Sequence, residues 1–550
     1  MKGRFSKTYP QPWSQVILLV LFCGVFFFVN LNQWDLWNPD EPRYAHVARE
    51  MVDRGDWILL HFNGRTYDDK PPFFFWMIAL GSFLLGGFNA FAARFPSAFF
   101  GTLTVLLTYL LGKRLYSHRT GFLGALVLAT SGEFFYLATR ANIDATLTFF
   151  TTAALFSFAI WDRSREDEKT RKSPLHALSI YGFYVGMALA TVTKGPVGMA
   201  VPLIVVLAYL FAKKDWKAFK EMKLHWGMML TVGLVLCWYL PAVKRGGEAY
   251  LQATLFKQTI DRYAKGWSHV KTFYYYLINF PVEFLPWSLF LPSALAYGFL
   301  KERYERRKPF FFLLTWFVAI FVLFSLSKGK RGLYLLPLYP ASALMVGAFF
   351  EDWIVRQTEG LSNEWGRIPL FVLAGLMVAG APLALWVVWR KFPAFLGWSI
   401  PMAVLLAMGG VGLLFLGWAN KRGSIFLLIV MTVALGFFYT QRAIFPLINP
   451  LKSARFISQE ITSRIQPGEP LAIYGGFGTG PYNYYTGIVP ILELEKKEAL
   501  SRFLQSSQRV FCLMKYRDYV SWISAEGREK VVFVARRQVG DDDIVLVSNR

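Results

Sequence analysis

Trp13 to Asn32 reads WSQVILLVLFCGVFFFVNLN, and Gln33 to Tyr44 immediately after it reads QWDLWNPDEPRY. The first run is uncharged over about the 20 residues that cross a hydrocarbon core. It is too long for the apolar centre of a secretory signal and lacks a small-residue cleavage site, so it reads as a spanning helix. The second run sets Asp40 and Glu41 just outside that span, where ionisable groups are expensive and usually functional.

The rest of the chain repeats this pattern. Its 550 residues are 55% hydrophobic and 18% aromatic, with 17% charged and a mean hydropathy of +0.35. A soluble chain carries about 25% charged residues, and this composition excludes disorder, a coiled coil or a small disulfide scaffold. Cys23, Cys237 and Cys512 have no metal-ligand spacing and read as small apolar residues. A net charge of +23 would suggest nucleic acid in a soluble protein. Here Lys and Arg gather in short segments between apolar runs, as the positive-inside rule expects. The fold class is a polytopic α-helical membrane protein, with membrane lipids and no nucleic acid as partners.

Apolar candidates lie at 13–32, 71–88, 93–112, 119–138, 142–161, 177–194, 196–212, 224–243, 283–300, 309–326, 333–350, 368–389, 397–417 and 423–440. If all cross, the basic loops at Lys113–Arg119, Arg163–Lys172, Lys213–Lys223 and Lys301–Lys308 fall outside. Removing 71–88, which opens with Pro71-Pro72 and an aromatic run, corrects every loop; it reads as interfacial or re-entrant. About 13 transmembrane helices then remain, with the N-terminus inside. The division is a transmembrane domain over 1–444, with a first outward loop at 33–92, and a soluble outward domain over 445–550.

The outward loops hold the candidate chemistry. Asp40, Glu41, Arg43 and Tyr44 open the first, and Tyr67, Asp68, Asp69 and Lys70 close it. Asp40 also suits a helix N-cap. Asp144 follows Arg140-Ala141-Asn142-Ile143, where a lone carboxylate equally suits a helix dipole. The loop 244–282 mixes Lys257, Asp261, Arg262, Tyr263, Lys265, Trp267 and His269, a set suited to a sugar phosphate or a lipid headgroup. His269 reads as an interfacial side chain, since no ligand pair is spaced for a metal. Ser327-Lys328-Gly329-Lys330-Arg331-Gly332 puts three cations in one outward turn, followed by Tyr334 and Tyr339. Such a turn can hold a phosphate, with glycine letting the backbone approach.

The tail shows an α/β pattern, with strand-like runs at 470–474, 509–514, 531–535 and 543–547 and helical stretches near 452–464 and 495–505. Gly475-Gly476-Phe477-Gly478-Thr479-Gly480 reads as an ordinary turn, because no clear helix follows as a phosphate loop requires.

Pro39-Asp40-Glu41-Pro42-Arg43-Tyr44, Arg49-Glu50-Met51, Gly55-Asp56-Trp57 and the Tyr67–Pro71 motif resemble the first periplasmic loop of bacterial lipid A aminoarabinose transferases. These are GT-C glycosyltransferases, a group that includes the protein O-mannosyltransferases. Ser327–Lys330 and Tyr334–Pro340 resemble their late-loop motif, and motif order and loop spacing follow the family over most of residues 1–350. Two positions depart from it. Asp69 stands where those transferases usually have Glu, and Gln258-Thr259 where their long loop has a zinc-associated His.

The resemblance implies a GT-C fold in a bacterial inner membrane, with the active site and the C-terminal domain on the periplasmic side. The partners would be a polyprenyl-phosphate-linked sugar donor and a lipid or glycan acceptor, lipid A or another envelope glycan, with inversion at the sugar. Asp40 would be the main catalytic carboxylate, with Asp69 and Asp144 as further acids. Arg43, Lys70 and Lys328, joined by Lys330 and Arg331, would hold the donor phosphate. Glu41, Tyr44, Tyr67, Arg262, Tyr334 and Tyr339 are the expected substrate contacts. No cofactor is required by these motifs, and a divalent metal is left open. The competing readings are a protein O-mannosyltransferase-like enzyme and a lipid-linked sugar transporter. A transporter should carry ionisable groups near the midplane, whereas these acids cluster at one surface.

Overall fold

The computed structural model describes residues 11–166, 168–255, 270–299, 304–356, 361–526 and 531–550. The chain divides into two compact units. One comprises Met1–Asn30, Asp69–Phe73 and Ser97–Thr440, and the other Leu31–Asp68, Phe74–Pro96 and Gln441–Arg550.

The protein is a multi-pass α-helical membrane protein. Among the described residues, nine helices are long and apolar enough to cross a bilayer: Ala90–Leu115, Ile143–Ser164, Pro174–Lys194, Leu224–Leu255, Arg307–Leu326, Gly332–Ile354, Glu364–Lys391, Pro393–Trp418 and Arg422–Lys452. A tenth counts if His118–Ala129 and Gly132–Ala138, bent by 71°, form one broken span. This differs from the expected thirteen. The segments at 13–32 and 196–212 form shorter apolar helices, Pro12–Phe28 and Val197–Lys213. The 283–300 run is divided among Tyr275–Glu283, a 3-10 turn at Trp287–Leu289 and Leu291–Gly298. Pro286 and Pro292 stand at those breaks, and proline removes the amide that would continue a helix. Phe73–Leu84 rises only about 18 Å, short of a 30-Å hydrocarbon core.

The bend at residue 130 has a local cause. The Thr130 and Ser131 hydroxyls donate back to the carbonyls of Leu126 (2.6 Å) and Leu128 (2.8 Å), competing with the helical ladder just before Gly132. Close packing in this unit depends on absent side chains. A Cβ on Gly347 would lie 2.6 Å from the Gly124 nitrogen and 3.0 Å from the Thr120 oxygen, so helices His118–Ala129 and Tyr339–Glu351 meet backbone to backbone. The basic loop after Ser164 is tied down by ions. Arg165 bonds Asp162 (3.2 Å), Asp215 (3.1 Å) and Glu221 (2.6 Å), and Lys213 lies 3.2 Å from Asp162. Burial opposes ionisation of Asp215, but the hydrogen bonds from Arg165 and the Ala218 amide, with the charges of Arg165 and Lys213, hold its carboxyl down at about 2.

The other unit contains the helix Asp40–Arg54, a short antiparallel hairpin of β1 (His61–Phe62) and β2 (Arg65–Thr66), and a five-stranded sheet. The sheet strands are β3 (Leu471–Tyr474), β4 (Leu492–Leu494), β5 (Phe511–Lys515), β6 (Val532–Val539) and β7 (Asp542–Ser548), in spatial order β4-β3-β5-β7-β6. β3 runs parallel to β4 and β5, while β7 pairs antiparallel with both β5 and β6. Strand alternation builds two cores. Leu471, Ile473, Leu513 and Leu546 pack with Ile457 and Ile461 on one face, and Ala472, Cys512, Met514, Val545 and Val547 with Leu500 and Trp522 on the other. The four strands read from the alternation are present, and β4 is an additional one. The Gly475–Gly480 run does lead into a helix, Gly480–Thr486, contrary to its reading as an ordinary turn.

Candidate functional site

Asp40 and Glu41 occupy the first turn of the helix Asp40–Arg54, where the helix dipole favours carboxylates. Asp40 Oδ1 accepts from Arg43 Nη2 at 2.8 Å, one turn along the same helix. Pro39 is the N-cap residue, so Asp40 lies within the first turn as an ion-pair partner of Arg43.

Glu41 has a different setting. Both its oxygens accept from Arg94, at 2.7 Å from Nε and 3.0 Å from Nη2, and the Trp37 amide adds 3.1 Å. Arg94 also donates to the carbonyls of Leu31 (2.7 Å), Trp34 (2.9 Å) and Asp35 (2.7 Å), and its guanidinium lies 4.1 Å over the Trp34 ring. Arg94 is fully buried. A buried bidentate pair of this kind fixes the loop that leads into Asp40. Glu41, expected to touch substrate, is therefore engaged in the scaffold.

Further along the helix, Glu50 accepts from Arg54 (2.9 Å) and from the Gly64 amide of the hairpin (3.0 Å), with His46 Nε2 at 3.4 Å. Burial alone would push its carboxyl up; those hydrogen bonds and the charges of His46 and Arg54 outweigh it and hold Glu50 below the usual carboxylate range. Tyr44 packs edge-on to Phe74 and Phe75, and Tyr67 lies against Phe62 and Phe75. Both rings, expected as substrate contacts, are buried and pack within this unit.

In the first unit, Lys70 Nζ donates to the Asp69 carboxylate at 2.7 Å. Phe73 meets Phe150 edge-on at 5.0 Å, which lays this segment against the helix Ile143–Ser164 that carries Asp144. Asn142 caps that helix by accepting from the Asp144 amide at 2.7 Å. The buried Asp144 carboxylate pairs with Lys194, whose ammonium stands 4.8 Å over the Tyr334 ring. Asp144 is thus brought together with Tyr334 of the late loop through a lysine.

The cationic turn separates into distinct roles. Lys328 is exposed. Lys330 is buried and turned inward, donating to the carbonyls of Ser327 and Lys271. A Val270–Gly329 bridge and a bond from the Lys271 amide to the Lys328 carbonyl (3.3 Å) complete this clip between loops. Lys330 therefore joins backbone, where a phosphate contact was expected. Arg331 lies within electrostatic reach of Glu133, as do Glu283 and Asp144, and its carbonyl accepts from Tyr276 (3.1 Å). Tyr339 is fully buried, edge-on to Phe280 (5.6 Å) and Phe284 (5.2 Å), and is likewise a core residue. Arg262 and the other residues of 256–269 singled out above lie outside the described residues.

Sequence reasoning passed over Arg94, Lys194, Glu133 and Glu283. The first two carried a signal, being lone cations in or at the end of apolar helices, where a partner is obligatory. Among the described residues no group of three or more His, Cys, Asp or Glu is arranged to hold a metal ion.

A family model described as dolichyl-phosphate-mannose-protein mannosyltransferase matches residues 13–244. The undecaprenyl phosphate-alpha-4-amino-4-deoxy-L-arabinose arabinosyl transferase of Pectobacterium atrosepticum is 33% identical over 378 residues, covering 68% of this chain and 66% of that one. The protein of the same name from Pseudomonas paraeruginosa is 34% identical over 374 residues, covering 67% and 65%. The chain therefore spans just under two thirds of these relatives' length. In fold it is similar to ArnT from Cupriavidus metallidurans, solved bound to undecaprenyl phosphate, with a TM-score of 0.81, 22% identity and 98% of both chains covered. The oligosaccharyltransferase of Archaeoglobus fulgidus in its apo form gives a TM-score of 0.51 at 13% identity, covering 99% of this chain and 76% of that one.

Proposed function

Since the chain belongs to the GT-C superfamily of membrane glycosyltransferases and is similar to its aminoarabinosyl transferases, we propose that it moves a sugar from a polyprenyl-phosphate donor to an outward-facing acceptor. The acceptor is lipid A or another envelope glycan, and the membrane is the bacterial inner membrane, with residues 1–444 as the transmembrane domain and 445–550 as a periplasmic domain. The observation that carries the reading is the Asp40–Arg43 pair at 2.8 Å, on a helix start whose neighbouring acid is locked by Arg94.

In this reading Arg43, Lys70, Lys194, Lys328 and Arg331 neutralise the donor phosphate, stabilising the charge that grows on it as the sugar departs. Asp40 orients the acceptor and, where the acceptor is a hydroxyl, removes its proton, a contribution of about 10²–10⁴-fold. Where the acceptor is a phosphate, already ionised, Asp40 only orients it. Attack from the face opposite the leaving phosphate inverts the anomeric centre. Asp69 holds Lys70, and Asp144 holds Lys194. The donor carries its own leaving group, so no nucleotide enters the reaction.

Mass spectrometry of lipid A and surface polysaccharide from cells with the protein, without it and with Asp40→Asn tests the reading. A sugar-sized mass present with the wild type and absent with the variant is expected. An unchanged set of glycans, with the protein folded in the membrane, would remove lipid and polysaccharide acceptors. The mannosyltransferase match over 13–244 makes protein glycosylation the second reading, seen as a sugar-sized mass on an envelope protein.

A further inference from the structure

The glycine run of the tail has no part in the chemistry above, yet it ends directly against the helix that carries Asp40. Gly475 (φ +98°) and Gly476 (φ +72°) take the left-handed backbone that the turn after β3 requires. Gly480 does not, since its backbone is open to any residue. Its missing side chain is demanded by space. A Cβ at 480 would come within 2.9 Å of Arg43 Cβ, 3.2 Å of its Cα and 3.4 Å of its Cγ. These atoms are the root of the side chain and the main chain itself, so Arg43 cannot swing aside to admit a methyl group.

Three further connections hold the helix Asp40–Arg54 and the tail helix Gly480–Thr486 in that register. Arg49 donates to the Tyr484 carbonyl (3.1 Å) and to that of Phe88 (3.4 Å), and stacks 4.9 Å over the Tyr484 ring. Tyr484 returns a hydroxyl bond to Phe88 (3.0 Å). Asn63, in the hairpin beyond the helix, exchanges bonds with Ile491 (2.7 and 2.8 Å) and accepts from Asn483 (3.0 Å), both amide side chains being buried. The Arg49 contacts tie the helix Asp40–Arg54 directly to the tail helix, and the Phe88 and Asn63 bonds tie its flanking segments to the same part of the tail.

We propose that Gly480 is a positioning residue for Arg43 and, through the Arg43–Asp40 pair, for Asp40, with the tail helix Gly480–Thr486 as the template that places them. The inference rests on the assignment of Arg43 to the donor phosphate made above. It gives the C-terminal domain a part in donor binding without any direct contact with the donor.

The test uses the purified full chain in detergent and undecaprenyl phosphate as the probe, with binding and thermal unfolding measured side by side. Gly480→Ala must open a 2.9-Å approach to ordinary contact, displacing the Arg43 root by about half an ångström, and is expected to weaken binding about tenfold. Leu500→Ala is the comparator: it opens the core on the other face of the sheet, apart from the cluster that holds Tyr482 of the template helix, and is expected to lower the melting temperature while leaving binding within about twofold. Arg43→Gln tests the underlying assignment. Wild-type binding by Gly480→Ala, with Arg43→Gln impaired, overturns the positioning role alone. Equal weakening by Leu500→Ala overturns it too, since tail stability would then be the cause. Wild-type binding by Arg43→Gln removes the assignment and the inference with it. If Gly480→Ala does not fold, Arg49→Gln loosens the same seam without crowding it. Binding about threefold weaker supports the proposal, and unchanged binding overturns it.

Discussion

Arg94→Leu should be the most damaging single substitution in the Asp40 loop, although Arg94 touches neither Asp40 nor Arg43 in the bonds described. Its guanidinium makes five hydrogen bonds, two to Glu41 and three to the carbonyls of Leu31, Trp34 and Asp35, with none of its side chain exposed. Removing it strips the Glu41 carboxylate, 2% exposed, of both its bonds to the guanidinium. Breaking a buried pair by deleting one partner costs about 3–5 kcal/mol, most of it the stranded charge. The three carbonyls add to this, less whatever water enters to satisfy them. A loss of about 4 kcal/mol is therefore expected. The double variant Arg94→Leu/Glu41→Leu removes the stranded charge and should recover about 2 kcal/mol of it. The assay is a double-mutant cycle of unfolding in detergent, read by tryptophan fluorescence and by circular dichroism. Two results would refute the reasoning: a loss below about 1 kcal/mol for Arg94→Leu, or a double variant that merely sums the singles. Arg94→Lys should not rescue, because three rotatable donors cannot replace a planar five-donor fork.

Asp144→Asn and Lys194→Gln should move undecaprenyl phosphate binding in opposite directions. The first frees the Lys194 ammonium and tightens binding, and the second removes a charge-assisted contact and weakens it, each by up to about tenfold in a micelle binding assay. Gly347→Ala should cost about 2 kcal/mol on heating, because its new methyl meets the Gly124 backbone at 2.6 Å and neither helix can give. Asp215, held at about 2 against 3.8 when free, contributes stability that is present above pH 4 and lost as pH falls toward 2. Asp215→Asn should therefore unfold about 2 kcal/mol more easily at pH 7, with the difference from wild type closing as both are acidified.

The parts of this molecule that were legible in the sequence are those whose signal is local. Hydropathy over about twenty residues found the nine long helices, since each is a continuous apolar run. Short apolar runs at 470–474 and 509–514 found β3 and β5. They missed β4, three residues long with an acid at its centre, and the Gly480–Thr486 helix, which lies behind three glycines that suggest a turn. Span counting read one continuous run where the helix is interrupted at Thr130 and Ser131 or at Pro286 and Pro292, because composition does not register a break.

The candidate site divides along the same line, and the division bears on which residues carry the chemistry. Asp40, Arg43, Asp69 and Lys70 were legible because each acid has its cation one or three residues away. Arg94 and Lys194 were not, because their acids lie 53 and 50 residues distant. A buried cation in an apolar helix demands a partner, yet the sequence cannot say whether that partner belongs to the protein or to a substrate. For Arg94 the structure answers: five bonds to protein oxygens leave its donors fully used, so its work is to hold the loop. Lys330, with its ammonium on two backbone carbonyls, belongs to the same class. Lys194 differs in kind. It meets one carboxylate and one aromatic face, fewer acceptors than the three donors of an ammonium can use, so an arriving phosphate can compete with Asp144 for it. Scaffold cations are recognised by saturated hydrogen bonding and substrate cations by a partner that can be exchanged. On that criterion Lys194 joins Arg43 and Lys70 among the proposed phosphate contacts, each of the three paired with an aspartate.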